Sequence, residues 1–484
     1  MDLKLPPQAK KIIDTLKKAG FEAYAVGGSV RDLLLVRETR GWDFTTSATP
    51  EEILKLFPDS FYDNQFGTVG IRIYEMERQE DGKTVRKKHI LQRSGSYSEA
   101  GLTVSTSHPV DIYEITTYRS EHGYTNHRHP DKVTWGKTLK EDLSRRDFTI
   151  NAIAFDGKKF VDPFAGQDDL KLQLIRAVGE PQERFAEDAL RLMRAVRLAA
   201  ELGFMIDETT LAAIKSQAFL ITQISAERVR DELFRLLAAP YAADGVTLIR
   251  GTGLLKHIFP ELDTAFTVPQ KSPQRHHIFD VGTHSIMSLK HCPSPDPLVR
   301  LATLLHDIGK PLTSKQQADG VITFYNHEVV GTKIAREIAD RLRLSRRQKD
   351  KLVTLVRWHQ FSVDERQTDS ALRRFIRRVG RENLEDILAL RIGDRLGGGA
   401  RETSWRLELF KKRLNEVQKQ PFTVVDLKVD GYDVMKEFNL KRGPVVGKIL
   451  NQLFTEVEAG TLPNDHAALL SRMRELAPLS LPQN

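Results

Sequence analysis

The stretch 23–50, AYAVGGSVRDLLLVRETRGWDFTTSATP, constrains the fold more than any other part of the chain. Tyr24–Val26 reads as a short apolar strand that breaks at Gly27-Gly28. Two residues without a Cβ permit a tight turn and let a bulky anion approach backbone N–H groups. Ser29–Val36 then reads as a helix with Arg31 and Asp32 in its first turn, and Trp42–Thr46 as a second strand carrying Asp43. Strand, glycine turn, helix and a carboxylate-bearing strand suit a nucleoside triphosphate and an attached metal, although an ordinary βαβ element with a glycine turn has the same outline. A second turn at Gly67-Thr68 and a strand at Tyr113–Thr117 favour the triphosphate reading, because Glu114 adds a carboxylate on a neighbouring strand.

The chain has 484 residues, enough for three or four domains with real cores. No apolar run approaches the roughly 20 residues that span a bilayer. The first residues, MDLKLPPQAKKIIDTLKKAG, lack a signal-peptide core and read as an amphipathic helix after Pro6-Pro7. One cysteine, Cys292, excludes an intramolecular disulfide and a multi-thiolate metal site, which fits a reducing cytoplasm. The net charge of +8 points to a polyanionic partner such as nucleic acid. Neither a membrane nor an obligate protein partner is implied.

Residues 21–118 alternate short strands with helices, the pattern of an α/β unit. Arg78–Pro109 is polar and rich in Lys, Arg, Ser and Thr, and reads as a long hairpin or disordered insertion. Its cluster Arg86-Lys87-Lys88 is available to nucleic acid, although a solvated loop is the plainer reading. Arg119–Leu139 shows little periodicity and reads as a flexible segment before a helix at Lys140–Arg146. The run 145–156, RRDFTINAIAFD, is strand-like and is followed by a turn at Asp162-Pro163-Phe164.

From Gln182 the pattern is helical. Within 183–204, Leu190, Met193, Val196 and Leu198 share one face, while Arg191, Arg194 and Arg197 recur every third residue along one stripe. Glu187 and Asp188 lie one turn before Arg191, so a carboxylate and a guanidinium point into the same space. From about Gln274 histidines cluster: His276, His277, His284, His291, His306, His327 and His359. The apolar helix in LVRLATLLHDIGKP ends at His306-Asp307, a pair that ligates a divalent metal if another His and a distant Asp reach the same point; His284 and Asp394 are such partners. Residues 421–484 read as a last helical unit with a GPVVG turn at 443–447.

These motifs, in this order, resemble those of the bacterial-type (class II) tRNA nucleotidyltransferases, the CCA-adding enzymes, and of the related bacterial poly(A) polymerases. GGSVRD (27–32) with WDFTTSATPEE (42–52) is similar to the family's nucleotidyltransferase signature, and FGTV (66–69) and YEITTYR (113–119) to its next strands. RRDFTINAIAFD with DPF (162–164) resembles its second motif, RFAEDALRLMRAVR (184–197) its template helix and ISAERVRDELFRLL (224–237) the motif after it. Residues 284–394 resemble an inserted HD domain, and 429–450 the tail of members that carry one. The resemblance implies an α/β head with a mixed sheet and helices (1–155), then mostly α-helical parts: a neck (156–272), an HD domain (273–400) and a tail (401–484).

The resemblance also implies an activity: addition of CCA to tRNA from CTP and ATP, with Mg²⁺ held by Asp43 and Glu114. Gly27, Gly28, Arg31, Asp32, Arg145, Asp147 and Asn151 would serve the incoming nucleotide and its surroundings, together with the template-helix residues Glu187, Asp188, Arg191, Arg194 and Arg197. Asp188 would accept from the exocyclic amine of C or A, Arg191 would donate to a ring acceptor, and Glu187 would position Arg191. His284, His306, Asp307 and Asp394 would hold a divalent metal for phosphohydrolase chemistry, with His327 and His359 near a second metal or the substrate phosphate. Two positions depart from the family: Gly41 stands where the first metal aspartate is usual, with Asp32 or Asp111 as stand-ins, and Val36 stands where glycine is usual. Gly41 leaves open an A-adding or polyadenylating variant, or a degenerate transferase that keeps RNA binding and HD hydrolysis.

Overall fold

The computed structural model describes residues 4–480 except 40, 64–66, 74–75, 79–83, 87–110, 123–131, 137, 271–278, 403 and 419–423. It contains two compact units, Met1–Pro260 and Glu261–Asn484. No helix among the described residues is long and apolar enough to cross a membrane.

The first unit is built on a seven-stranded sheet. Its spatial order is Phe160–Val161, Ala154–Phe155, Ala23–Val26, Asp43–Thr46, Asp111–Thr117, Thr68–Ile73 and Ser60–Asp63. Asp43–Thr46 runs parallel to Asp111–Thr117, and every other pairing is antiparallel, so the sheet is mixed as expected. Small and β-branched side chains (Ala23, Ala25, Val69, Ile115) bury the strands on their helix-covered side. The helix Pro7–Lys18 packs Ala9, Ile12, Ile13 and Leu16 inward, an i, i+3, i+4, i+7 stripe. After the second strand, Thr49 and Glu52 form a reciprocal capping box with Pro50 at the first helical position, which starts the helix Pro50–Leu56.

Several expectations about local structure are corrected. The run 145–156 is not one strand: it contains a 3₁₀ turn at Thr149–Asn151 and only Ala154–Phe155 joins the sheet. The turn is fixed by side chains that periodicity does not see, with Asp147 accepting from the Phe148 N–H and from Asn151. Residues 119–139 are not irregular where they are described, since Arg119–His122 pairs antiparallel with Lys132–Trp135. Only a glycine tolerates Trp135 at position 67, where a Cβ would lie 2.5 Å from the indole ring. In the insertion, Met76–Arg78 pairs with Thr84–Arg86, while Lys87-Lys88 and the rest up to 110 lie outside the described residues.

The expected helix over 183–204 is two helices, Pro181–Glu187 and Leu190–Leu202. Asp188 leaves helical geometry and its Oδ1 accepts from the Leu190 N–H at 3.0 Å, the way a capping carboxylate starts a helix. The second helix is buried on most of its circumference, Arg191 and Arg197 included.

The second unit is almost wholly helical. Val281–His291, Pro297–Leu305 and Leu384–Gly397 pack around buried Leu289, Leu301, Leu304 and Leu390. Gly393 and Gly397 let the last of these helices approach the backbone of Ser288. GPVVG at 443–447 is not a turn: Pro444 is the first residue of the helix Pro444–Glu458, where its missing N–H has no partner to lose. That helix, with Gly431–Glu437 and His466–Ser480, closes a core around Leu453, Leu469 and Met473.

Candidate functional site

The glycine turn of the first unit is shaped by what lies against it. Gly27 has φ +80°, and a Cβ there would sit 3.2 Å from an Arg146 guanidinium nitrogen and 3.5 Å from Asp43 Oδ2. Asp43 is the register partner of Glu114 across the parallel pair. Register partners point to the same face of a sheet, so the two carboxylates stand side by side. The Asp43 side chain opens to a cleft, yet the protein wall around it desolvates it and pushes its carboxyl above the usual range against the pull of Arg146. Two adjacent carboxylates, one disfavoured as a bare anion, are a donor set that fits a divalent cation.

From this point a chain of ion pairs and hydrogen bonds runs through the unit. Arg31 is held by Asp32 at 2.9 Å and donates to Asn151 Oδ1 at 2.9 Å. Asn151 donates to Asp147 at 3.1 Å, and Asp147 is gripped by Arg194 at 2.6 and 2.9 Å. Burial alone would push Asp147 up, but Arg194 and Asn151 outweigh it and hold the carboxyl well below its usual range. Arg197 continues the chain through Glu232 and Glu201, each at 2.5 Å. On the other flank, buried Asp142 takes Arg145 at 2.6 Å and Arg146 at 3.3 Å. Burial raises Asp142 too, yet Arg146 and Arg145 pull it below the usual carboxylate range.

A cavity of about 720 Å³ opens on this network. Of the predicted residues, Gly28, Arg31, Asp32, Asp43, Asn151, Arg194 and Arg197 line it, and Gly41 lies on its wall. Gly27, Glu114, Arg145, Asp147, Glu187, Asp188 and Arg191 do not line it, although Asp147 and Asp43 tie several of them to residues that do. Arg191 is paired with Glu187 at 2.7 Å and also donates to the Arg145 carbonyl. Asp188 is paired with Arg228 at 2.7 Å. Asp32 serves Arg31; the Asp111 side chain lies outside the described residues. Sequence reasoning missed Arg146, Asp142, Arg228 and Glu232. The last two sit in the ISAERVRDELFRLL motif, where their partners were not legible.

In the second unit His284, His306, Asp307 and Asp394 converge. His284 Nε2 lies 3.2 Å from His306 Nε2 and 3.2 Å from Asp394 Oδ1, and Asp307 Oδ2 lies 3.2 Å from His306. The other oxygen, Oδ1, faces His327 at 3.3 Å and His359 at 3.6 Å. The Nδ1 atoms of His306, His327 and His359 each bond a backbone carbonyl, of Thr303, Phe324 and Val356, and the three Nε2 atoms face Asp307. Two donor groups result, His284-His306-Asp307 and Asp307-His327-His359, sharing Asp307.

Charge in this cluster matches a cationic occupant. Burial alone would lower His306, yet Asp307 and Asp394 outweigh it and push its imidazole up to about 10, so a positive charge belongs between these carboxylates. Lys310, missed from sequence although it stands in HDIGKP, pairs with Asp307 at 2.6 Å and with Gln270 at 2.7 Å. Arg391 pairs with Asp394 at 3.0 Å. A cavity of about 520 Å³ reaches the cluster, lined by Asp307, His327, His359, Asp394, Lys310 and Arg391 among others. His276 and His277 lie outside the described residues.

Known proteins carry the same parts in the same order. Family models match at 23–100 and 73–176 (Poly A polymerase head domain), 203–266 (probable RNA and SrmB-binding site of polymerase A) and 277–396 (HD domain). The CCA-adding enzyme of Geobacillus kaustophilus (strain HTA426) is 42% identical over 256 residues, 52% of this chain and 55% of that protein. The chain thus spans about half the length of that relative. The CCA-adding enzyme of Lactococcus lactis subsp. cremoris (strain MG1363) is 32% identical over 98% of this chain and 97% of its own. Among solved structures, the Bacillus stearothermophilus CCA-adding enzyme in complex with CTP superposes with a TM-score of 0.66 at 27% identity, covering 98% of this chain and 99% of that one. Given that likeness along essentially its whole length, the chain belongs to the CCA-adding enzyme family and carries an HD domain.

Proposed function

We propose that this protein adds the 3′-terminal CCA to tRNA, using CTP and ATP. The observation that carries the reading is the register pair Asp43 and Glu114 beside the Gly27-Gly28 turn, with Asp43 on a cavity walled by Arg31, Asn151 and Arg194. Mg²⁺ held by Asp43 and Glu114 would supply charge stabilisation to a phosphoryl transfer with pyrophosphate as leaving group. Arg31 and Arg194 present cationic donors to the polyphosphate, and the Gly27-Gly28 turn lets backbone N–H groups approach it. Asp147 and Asn151 hold those arginines in place. Asp188 and Arg191 select C and A by accepting from the exocyclic amine and donating to the ring acceptor, with Glu187 orienting Arg191.

The four-part division at 155, 272 and 400 is the domain organisation we propose, in a cytoplasmic protein that takes tRNA by shape and phosphate. The second unit would be a phosphohydrolase acting on 2′-phosphate or 2′,3′-cyclic phosphate ends. His284, His306, Asp307 and Asp394 would hold one divalent metal, and His327 and His359, with Asp307, would hold a second or contact the substrate phosphate. Divalent metal held there would supply an activated water for hydrolysis of the phosphate ester.

A second reading rests on Gly41, which stands where the resemblance implies a metal aspartate: an A-adding or polyadenylating variant, or a degenerate transferase that keeps RNA binding and HD hydrolysis. One assay separates them. Protein with Mg²⁺ receives tRNA ending at the discriminator base, in C, or in CC, with single and mixed nucleotides. Ordered addition of C, C and A, abolished by Asp43→Ala, supports the first reading. Addition of A alone to the CC end, or of long A tails, supports a variant. No addition by protein that still binds tRNA supports a degenerate transferase.

A further inference from the structure

A separate cavity of about 280 Å³ lies in the second unit. Phe361, Phe375 and Phe410 form its aromatic wall, with ring centroids 4.9, 5.2 and 5.6 Å apart. Trp358 lines it too, and the guanidinium of Arg378, another lining residue, lies 5.0 Å from the indole centroid. Gln367, another lining residue, has a side-chain oxygen that is buried and has no hydrogen-bond partner. Buried acceptors are satisfied in native proteins as a rule, so an orphan on a cavity wall marks a donor supplied from outside. Flat rings, a guanidinium plane and a lone carbonyl acceptor are the chemistry that holds a nucleobase with an exocyclic amine.

The position of the cavity decides what the base belongs to. Gln360 lines both this cavity and the 520 Å³ cavity on the Asp307 cluster. Arg391, which pairs with Asp394 in that cluster, has its guanidinium 5.6 Å from the centroid of Phe361. His359 of the cluster stands in sequence between Trp358 and Gln360. Gln360 and Arg391 thus connect the aromatic wall with the Asp307 cluster.

We propose that the Trp358–Phe361 cavity is a nucleobase pocket, which takes the terminal base of a nucleotide or RNA 3′ end whose 2′- or 2′,3′-cyclic phosphate lies on the Asp307 cluster. The inference rests on the phosphohydrolase reading and narrows its substrate class to nucleotide esters, with preference for bases that carry an exocyclic amine.

The test uses the full chain with Mn²⁺ and compares adenosine 2′,3′-cyclic phosphate with the base-free methyl riboside 2′,3′-cyclic phosphate. The expected KM for the nucleotide is about tenfold lower than for the base-free ester, the scale of one base–aromatic contact. Trp358→Ala should erase that advantage and leave the base-free KM and CTP incorporation unchanged, the latter showing that the protein is folded. Gln367→Leu, a milder change, should lower the preference for the adenine over the uracil ester. Hydrolysis of both esters with equal KM overturns the pocket and leaves the phosphohydrolase reading standing. If neither ester is hydrolysed, that reading fails, and equilibrium dialysis of adenosine 2′-monophosphate decides the pocket. Binding weakened by Trp358→Ala supports it; binding equal in both proteins, or absent, overturns it.

Discussion

Asp188 is paired with Arg228 at 2.7 Å, while Arg191, one turn further on, is held by Glu187. The two residues proposed to read the base are therefore each engaged by a different neighbour. Arg228 fixes the direction of the Asp188 carboxylate through Oδ2, while Oδ1 accepts from the Leu190 N–H.

Replacing Arg228 by Ala should free Asp188 from its orienting partner. Charge-assisted bonds of this kind contribute about 1.5–3 kcal/mol. The expected result is a fall of about tenfold or more in kcat/KM for CTP and ATP, with UTP misincorporation rising relative to CTP. Single-turnover incorporation with each nucleotide reads both effects. An unchanged ratio of UTP to CTP would show that Arg228 does not orient the reading carboxylate.

Gly41→Asp should raise transferase activity by about tenfold or more, since a metal carboxylate stabilises transition-state charge. Space is available: a Cβ at Gly41 meets nothing within 4 Å, and the residue lies on the cavity wall. Its φ of +73° is a conformation that aspartate adopts more readily than most residues. The incorporation assay on protein checked by circular dichroism decides; no gain means that Gly41 is neutral or that another group already fills the position.

Val36 is a β-branched residue at φ +54° and 67% exposed. It has little burial to lose and a strained backbone to relax. Val36→Gly should stabilise the first unit by about 1 kcal/mol, read as a shift of the first urea transition without change in slope.

Asp147→Asn should destabilise the first unit by about 2 kcal/mol at neutral pH, because it removes the charge-assisted bonds of a buried carboxylate to Arg194, whose other counter-charge, Glu232, is 3.7 Å away. The carboxyl of folded Asp147 lies well below its ordinary 3.8, so the unfolded chain binds more protons in the acid range. Its contribution is fully present above 3.8, shrinks as pH falls below that value and is gone only below the folded value. The gap between wild type and variant should therefore narrow toward acid, which urea titrations at a series of pH values would show.

Asp307 offers one oxygen to His284 and His306 and the other to His327 and His359. Asp307→Ala should abolish binding of both divalent ions, whereas His327→Ala should remove one. Metal analysis of protein loaded with Mn²⁺ and desalted distinguishes two equivalents, one and none. Equal losses in the two variants would mean a single-metal site.

Local order was legible where the chemistry is local. The Gly27-Gly28 turn, the carboxylates Asp43 and Glu114, the EDALR run and the His306-Asp307 pair each sit in a motif whose residue types suffice to mark it. The break at Asp188 was not legible, because no Gly or Pro interrupts the run and the cap is a side chain folding back on Leu190. The 3₁₀ turn before Ala154 was hidden for the same reason, held by Asp147 and Asn151 rather than by periodicity.

By itself the sequence determined which groups are available: a glycine turn followed by carboxylate strands, an arginine helix, and a set of histidines and two aspartates that runs from His284 to Asp394. Spacing along a chain carries that information because turns, strands and helices repeat over a few residues. Tertiary structure alone decided which groups meet. It paired Asp188 with Arg228 from 40 positions away, placed Glu232 between Arg194 and Arg197, and turned His327 and His359 onto the second oxygen of Asp307. Those choices depend on burial, where an unpaired charge is costly and every cation must find the carboxylate that the packing of distant helices brings within reach.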